Sequence, residues 1–159
     1  MAFSMRGSHL GMRMPVPSRA SRPVTGRRQG MVARAAAEVS VSTAVLPLTD
    51  RDHFREVLSE ANTANEVLVV DYFTTWCGPC KLIAPKVEEM AAEMAGEGVR
   101  FAKVTCDASD DNKRWAADIK IKVLPTFRLY KNGSEEAVVE MTGTKMDQLR
   151  KLIEEQRDA

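Results

Sequence analysis

The sequence predicts an α/β fold built on a central mixed β-sheet with helices on both faces. Three observations carry this expectation. From residue 45 onward, strand-type and helix-type patterns alternate in the order βαβαβαββα. The run Val67-Leu68-Val69-Val70-Asp71-Tyr72-Phe73 is apolar on both parities, as a strand covered on two faces must be. Asn132-Gly133 lies between the last two strand-like runs and favours a tight turn, so parallel crossovers give way to an antiparallel hairpin.

Each element has a local reason. Val45–Leu48 is a short apolar segment, after which Thr49 or Asp50 can cap a helix whose apolar positions Phe54, Val57, Leu58 and Ala61 recur at helical spacing. After the central strand 67–73, the loop Thr74–Gly78 leads into a helix running through Gly96. Pro85 within that helix removes one backbone donor and should kink it. Val99–Cys106 is a second β-rich run. Ser109 can cap a helix with Trp115, Ala116 and Ile119 on one face. Thr126–Tyr130 and Ala137–Met141 flank the Asn-Gly pair, and a final amphipathic helix presents Leu149, Leu152 and Ile153.

Composition limits the rest. The 159 residues, 44% apolar and 28% charged, suit one packed domain with a tail. The net charge of +1 hides a segregation: of 23 basic side chains, seven are arginines within residues 1–35, a stretch without any acidic residue. The remainder carries 16 basic against 22 acidic side chains, a net of −6, which gives no footing for nucleic acid. No apolar run approaches the roughly 20 residues a membrane-spanning helix needs. The basic segment (Arg6, Arg13, Arg19, Arg22, Arg27, Arg28, Arg34) is rich in serine, lacks an apolar core and so reads as an organellar transit peptide rather than a secretory signal. A basic tail held on an anionic surface is the alternative. Val32-Ala33-Arg34-Ala35 resembles the loose processing pattern of chloroplast precursors, which places cleavage near Ala35/Ala36. The expected layout is a disordered transit peptide at 1–35, a linker at 36–44 and a folded domain at 45–157. Met5-Arg6-Gly7-Ser8-His9 also looks like the start of an expression tag, without the histidine run.

The chemistry concentrates in Trp76-Cys77-Gly78-Pro79-Cys80-Lys81, at a strand-to-helix junction. Two thiols three residues apart lie about one helical turn apart and can close a small disulfide ring. A Cys77 at a helix N-terminus has its thiolate stabilised by unpaired amides and the macrodipole, which makes it the nucleophile. Cys80, a turn further in, should be more buried and suits the resolving role. Gly78 and Pro79 keep the turn tight, and proline costs nothing in a first turn. The other reading of a CxxC pair is half a zinc site, but only Cys106, His9 and His53 remain as further ligands, so no metal is expected. His53 reads as an exposed first-turn helix residue. Asp71 is either a strand-end residue in water or a buried carboxylate; buried, its pKa rises into the range useful for taking the Cys80 proton, directly or through one water. Leu124-Pro125-Thr126 is an ordinary strand entry unless the peptide bond is cis and the turn lies against the CxxC. Its free backbone groups then pair with an extended substrate segment.

Taken together, Trp76-Cys77-Gly78-Pro79-Cys80, Asp71, Pro85, Lys103, Val123-Leu124-Pro125-Thr126 and Gly143 resemble the thioredoxin pattern, over roughly Val45 to Gln156. The resemblance implies the thioredoxin fold, with Cys77 as nucleophile, Cys80 as resolving thiol, the two forming the redox-active disulfide, Asp71 as proton acceptor, Lys103 in support and Pro125 as the cis-proline. It makes Trp76, Gly78, Pro79, Lys81, Lys122, Leu124, Gly143 and Lys145 substrate-facing. The Gly-Pro dipeptide favours a reductant, since isomerases and strong oxidants of this fold carry histidine there. Where many thioredoxins have a tryptophan after the strand aspartate, the aromatic here is Phe73, two residues past Asp71.

Tyr72-Phe73-Thr74-Thr75-Trp76, Cys106-Asp107 followed by Asn112-Lys113, and Thr142-Gly143-Thr144-Lys145 look like the plastid f-type of that family. Cys106 would be a regulatory thiol if exposed near the redox face and a small buried hydrophobe otherwise. Lys81, Lys120, Lys122 and Lys145 are either a cationic ring that steers acidic partner segments or ordinary solvated lysines. The f-type resemblance implies a monomeric protein-disulfide reductase of the chloroplast stroma, without cofactor, that activates carbon-fixation enzymes such as fructose-1,6-bisphosphatase and is itself reduced by ferredoxin-thioredoxin reductase. The alternatives are a mitochondrial-matrix or other plastid thioredoxin with different disulfide-bearing target enzymes, and a non-catalytic interaction subunit of the same fold.

Overall fold

The structure, a computed structural model, describes residues 44–159, so the expected transit peptide and all of the linker but Ala44 lie outside the described residues. The elements are β1 (Val45–Leu48), α1 (Arg51–Thr63), β2 (Val67–Phe73), α2 (Gly78–Glu93), β3 (Val99–Thr105), α3 (Asp110–Asp118), β4 (Thr126–Tyr130), β5 (Val139–Thr142) and α4 (Met146–Asp158). The predicted βαβαβαββα order is the observed one. The sheet order is β1-β3-β2-β4-β5, with β3 parallel to both β1 and β2, and β4 antiparallel to both β2 and β5.

Strand parity divides the core in two. Val67 and Val69 of β2, with Val99 and Phe101 of β3, face α2 and α4, where Ile83, Val87, Met90, Leu149 and Ile153 cover them. Leu68, Val70 and Tyr72, with Ala102 and Val104, point the opposite way into α1 and α3, against Phe54, Val57, Leu58 and Trp115. Side chains at successive strand positions alternate faces, so one parity decides which helix pair each residue meets. Burying each of the larger side chains stabilises the fold by about 1.5–3 kcal/mol. In the second layer the Phe54 ring packs 5.3 Å from Trp115 and 5.0 Å from Tyr130, and the buried Tyr72 and Tyr130 hydroxyls satisfy each other at 2.8 Å.

Local details refine several expectations. Of the two candidate caps, Asp50 caps α1 by accepting from His53 N. His53 itself is half-buried rather than exposed, its Nδ1 accepting from Thr49 N at 3.3 Å. Ser109 caps α3 as predicted, while Ile119 lies just past the helix end. Asn132 and Gly133 both have positive φ, 59° and 69°, as a hairpin turn demands. The returning strand nevertheless begins at Val139 instead of Ala137, because residues 134–138 lengthen the loop before Val139 pairs with Leu129.

Candidate functional site

The site gathers at one end of the sheet. β2 delivers the chain there through Thr74–Cys77 into α2; β4 starts there, because Tyr72 pairs with Thr126; and Thr142 at the end of β5 pairs with Thr126 as well. Cys77 is the N-cap of α2, with Pro79 in the first turn. Its sulfur accepts from the Cys80 backbone N–H at 3.3 Å, so one unpaired helix donor already points at it. Cys77 and Cys80 form a disulfide with Cα atoms 5.4 Å apart. The expected contrast in depth is absent at the level of whole residues: Cys77 is 5% exposed and Cys80 4%. Trp76 and Leu82 on either side of the pair are 74% and 79% exposed, leaving two large apolar side chains in water beside a disulfide.

The loop before Cys77 is tied down from β3. The Asp107 carboxylate accepts from Thr75 N at 3.0 and 3.1 Å and from Thr75 Oγ1 at 2.6 Å. These bonds, the hydroxyl donation foremost, hold the Asp107 carboxyl below its ordinary range. Cys106 N adds a bond to the Phe73 carbonyl at 2.8 Å, and Cys77 N one to the Thr74 carbonyl at 3.2 Å. Sequence reasoning assigned Asp107 no such role, although an aspartate just past a strand that parallels β2 was the available signal.

Of the two readings of Asp71, the buried one is observed. It has the same parity as Val67 and Val69, so it faces α2, and only 7% of it is exposed. Its Oδ1 is buried without a hydrogen-bond partner. Burial pushes its pKa up to about 7, against a partial opposing pull from the Lys103 ammonium. A cavity of about 220 Å³ is lined by Asp71, Cys80, Lys81, Glu88 and Lys103, with Val45 and Val87 among its apolar walls. Asp71 and Cys80 thus line one cavity whose volume is large enough for water. Lys103 is the register partner of Asp71, but its Nζ donates to Glu88 Oε1 at 2.9 Å. Glu88 was missed in the sequence. Cys80, Ala84, Val87 and Glu88 recur at i, i+4, i+7 and i+8, and that spacing was the signal.

The remaining predicted residues are arranged around the same end. The Leu124–Pro125 peptide is cis, and the Pro125 carbonyl accepts from Gly143 N at 3.0 Å. Gly143 has φ +95°, a region that side-chain-bearing residues avoid. Gly78, Pro79, Lys81, Lys122 and Lys145 are exposed and Leu124 half-buried. The ion-paired lysines among the described residues are Lys103, Lys113 and Lys151, so Lys81, Lys120, Lys122 and Lys145 carry uncompensated charge.

Cys106 departs from its regulatory reading, whose condition was exposure. It is 6% exposed and packs with Ala102, Val104 and Trp115 on the α1/α3 side, the face opposite α2. Strand parity is the reason, since Cys106 continues the Ala102–Val104 alternation. Burial, reinforced by the Asp107 and Asp71 carboxylates, pushes its thiol up to about 11.

This arrangement has close counterparts among known proteins. The family model described as Thioredoxin matches residues 44–155. Thioredoxin F, chloroplastic, from Oryza sativa subsp. japonica is 39% identical over 120 residues, covering 76% of this chain and 60% of that protein. The chain thus spans about three fifths of that relative's length. The crystal structure of Chlamydomonas reinhardtii thioredoxin f2 is 41% identical and superimposes with a TM-score of 0.61, covering 70% of this chain and 95% of that one. A thioredoxin f2 solved in complex with ferredoxin:thioredoxin reductase is 35% identical, with a TM-score of 0.61, over 71% of this chain and 94% of that one. The family model covers more than half of the chain, including the helix that opens on the Cys77–Cys80 disulfide and the cis Leu124–Pro125 bond, and this chain belongs to the thioredoxin family.

Proposed function

We propose that this protein is a plastid protein-disulfide reductase of the f type, working by dithiol–disulfide exchange. The observation that carries the reading is the Cys77–Cys80 disulfide at the start of α2, above a cavity holding the unpartnered Asp71 carboxyl. In the reduced protein, the Cys77 thiolate attacks one sulfur of a target disulfide. A mixed disulfide forms, and the target's other sulfur leaves as a thiolate, which takes a proton from water. Cys80 then gives its proton to Asp71, and its thiolate attacks the Cys77 sulfur. The Cys77–Cys80 bond forms, the bond to the target breaks, and the second target sulfur leaves as a thiolate that takes up the proton held by Asp71, directly or through water. Two electrons pass to the target, with one proton from Cys80 by way of Asp71 and one from solvent, and no metal or organic group takes part.

Trp76, Leu124 and the backbone flanking Pro125 form the surface on which an extended target segment lies, rimmed by Gly78, Pro79, Gly143 and the exposed lysines. Residues 1–35 act as the transit peptide, 36–44 as a linker and 45–157 as the working domain. The names of the relatives support the plastid as the destination, and the Arg-rich, acid-free leader is consistent with delivery to its stroma. The complex solved for a thioredoxin f2 supports a reductase of that class as the electron donor. Carbon-fixation enzymes such as fructose-1,6-bisphosphatase are the proposed targets.

The test compares activation of oxidised plastid fructose-1,6-bisphosphatase and plastid NADP-malate dehydrogenase at low dithiothreitol. Preference for the phosphatase, lost in C77S, supports the f-type reading; equal or reversed preference leaves a disulfide reductase of another subtype. Activation that survives in C77S would remove the reductase reading altogether. C80S should accumulate the mixed disulfide, visible as a covalent complex on a non-reducing gel.

A further inference from the structure

The cavity beneath the start of α2 is lined by two carboxylates, Asp71 and Glu88, and two ammonium groups, Lys81 and Lys103, and Lys103–Glu88 is the one ion pair made among them. Asp71 and Lys103 are register partners on adjacent parallel strands, and parity turns both toward α2. Proximity along the ladder would pair them, yet the ammonium bonds to Glu88 and the Asp71 oxygen is left without a partner. Lys103 and Glu88 are 30% and 35% exposed, so the pair is neither locked in the core nor freely solvated. Glu88 lies eight residues after Cys80 on the same helix, which ties its position to that of the resolving thiol.

We infer that Glu88 is a positioning residue of this site: it holds the Lys103 ammonium away from Asp71, which leaves the Asp71 carboxyl free to exchange a proton with Cys80. The inference rests on the proposed role of Asp71 as proton acceptor. An ammonium in contact with a carboxylate favours its charged form, so an Asp71 paired to Lys103 would be a weak proton acceptor near neutral pH. Glu88 opposes this by engaging the cation. The other charged or titratable groups around Asp71 are Lys81 and Cys80 of α2 and, across the sheet, Cys106. From β1 the cavity is lined by Val45, and the register partner of Asp71 on β4 is Phe127, neither of which titrates. The choice Lys103 makes between Glu88 and Asp71 is thus the adjustable part of the site.

The experiment follows the Asp71 carboxyl carbon by NMR through a pH titration of the oxidised chain, in wild type, E88Q, E88A, K103M and E88Q/K103M. E88Q is expected to move the Asp71 midpoint from about 7 to about 6, the size of effect a freed opposite charge exerts nearby. E88A, which keeps no acceptor for the lysine, should move it at least as far. K103M should move it upward, and in that background E88Q should produce less than half its effect. An unchanged or raised midpoint in E88Q and E88A overturns the inference. So does an equal effect with and without the lysine, because Glu88 would then act only as a charge. In parallel, the pH at which mixed-disulfide release is half-maximal should fall with the midpoint in E88Q. If D71N leaves release unaltered, the proposed role of Asp71 fails, while the NMR titration still decides whether Glu88 controls Lys103.

Discussion

Lys103 sits directly across the β2–β3 ladder from Asp71 but donates its hydrogen bond to Glu88, at 2.9 Å. A buried carboxyl with a cation beside it that belongs to another group keeps most of the penalty of burial. Burial gives the site a carboxyl, Asp71, that titrates near neutral pH, and this has consequences for stability as well as for exchange.

Asp71 titrates near 7 in the folded chain, whereas an unfolded aspartate does so at about 3.9. The folded state therefore holds the extra proton between those values, and its stability falls as pH rises through that window. Above the window the full penalty is present, on the order of 4 kcal/mol for a difference of about three pH units. D71N should match wild type near pH 4 and exceed it by up to about 4 kcal/mol at pH 8. Guanidinium unfolding of the oxidised proteins at both pH values measures this. A difference independent of pH would mean that Asp71 is not the titrating group.

Cys106 should behave as a core residue. With its thiol at about 11, only about 0.1% is thiolate at pH 8, and packing on the α1/α3 face denies reagents access. Iodoacetamide should label it in the native reduced protein far more slowly than it labels Cys77, and rapidly once the chain is unfolded. C106S should retain target reduction within about twofold, as expected of a thiol outside the reacting set. Native labelling as fast as that of Cys77 would restore the regulatory reading.

Asp107 should matter to the loop that carries Trp76 and Cys77. D107A removes every acceptor for the Thr75 amide and hydroxyl seen in the structure. Amide exchange at Thr75 should accelerate at least about tenfold, and target reduction should fall several-fold through a less ordered attack geometry. Because the Asp107 carboxyl lies below its ordinary range, the loss relative to wild type should stay constant from pH 6 to pH 9. A loss confined to one end of that range would assign the effect to another group.

The unpaired lysines bear on targets rather than on chemistry. Replacing Lys81, Lys120, Lys122 and Lys145 by glutamine should lower kcat/KM for an acidic target by about tenfold at low salt and flatten its decline with ionic strength. Reduction of a small uncharged disulfide should stay unchanged. Identical salt dependence in the variant and wild type would return these lysines to ordinary solvated surface.

Much of this molecule was legible in one dimension. The double-parity run 67–73, the helix caps at Asp50 and Ser109, and the Asn132-Gly133 turn are local signals, and local sterics and hydrogen bonding settle them. The spacing of Cys77 and Cys80 likewise determined that a disulfide could close, because one helical turn brings the two sulfurs together. Only the tertiary structure decided which groups surround that disulfide. Asp71 could have pointed to water until β4 and α2 covered it, and Cys106 could have lain near the redox helix until strand parity turned it to the other face. The partner of Lys103 was beyond local reading too, since register offers Asp71 and helix packing offers Glu88. A residue's type and spacing set the chemistry it can perform; its electrostatic surroundings come from distant segments, and those meet only when the chain folds.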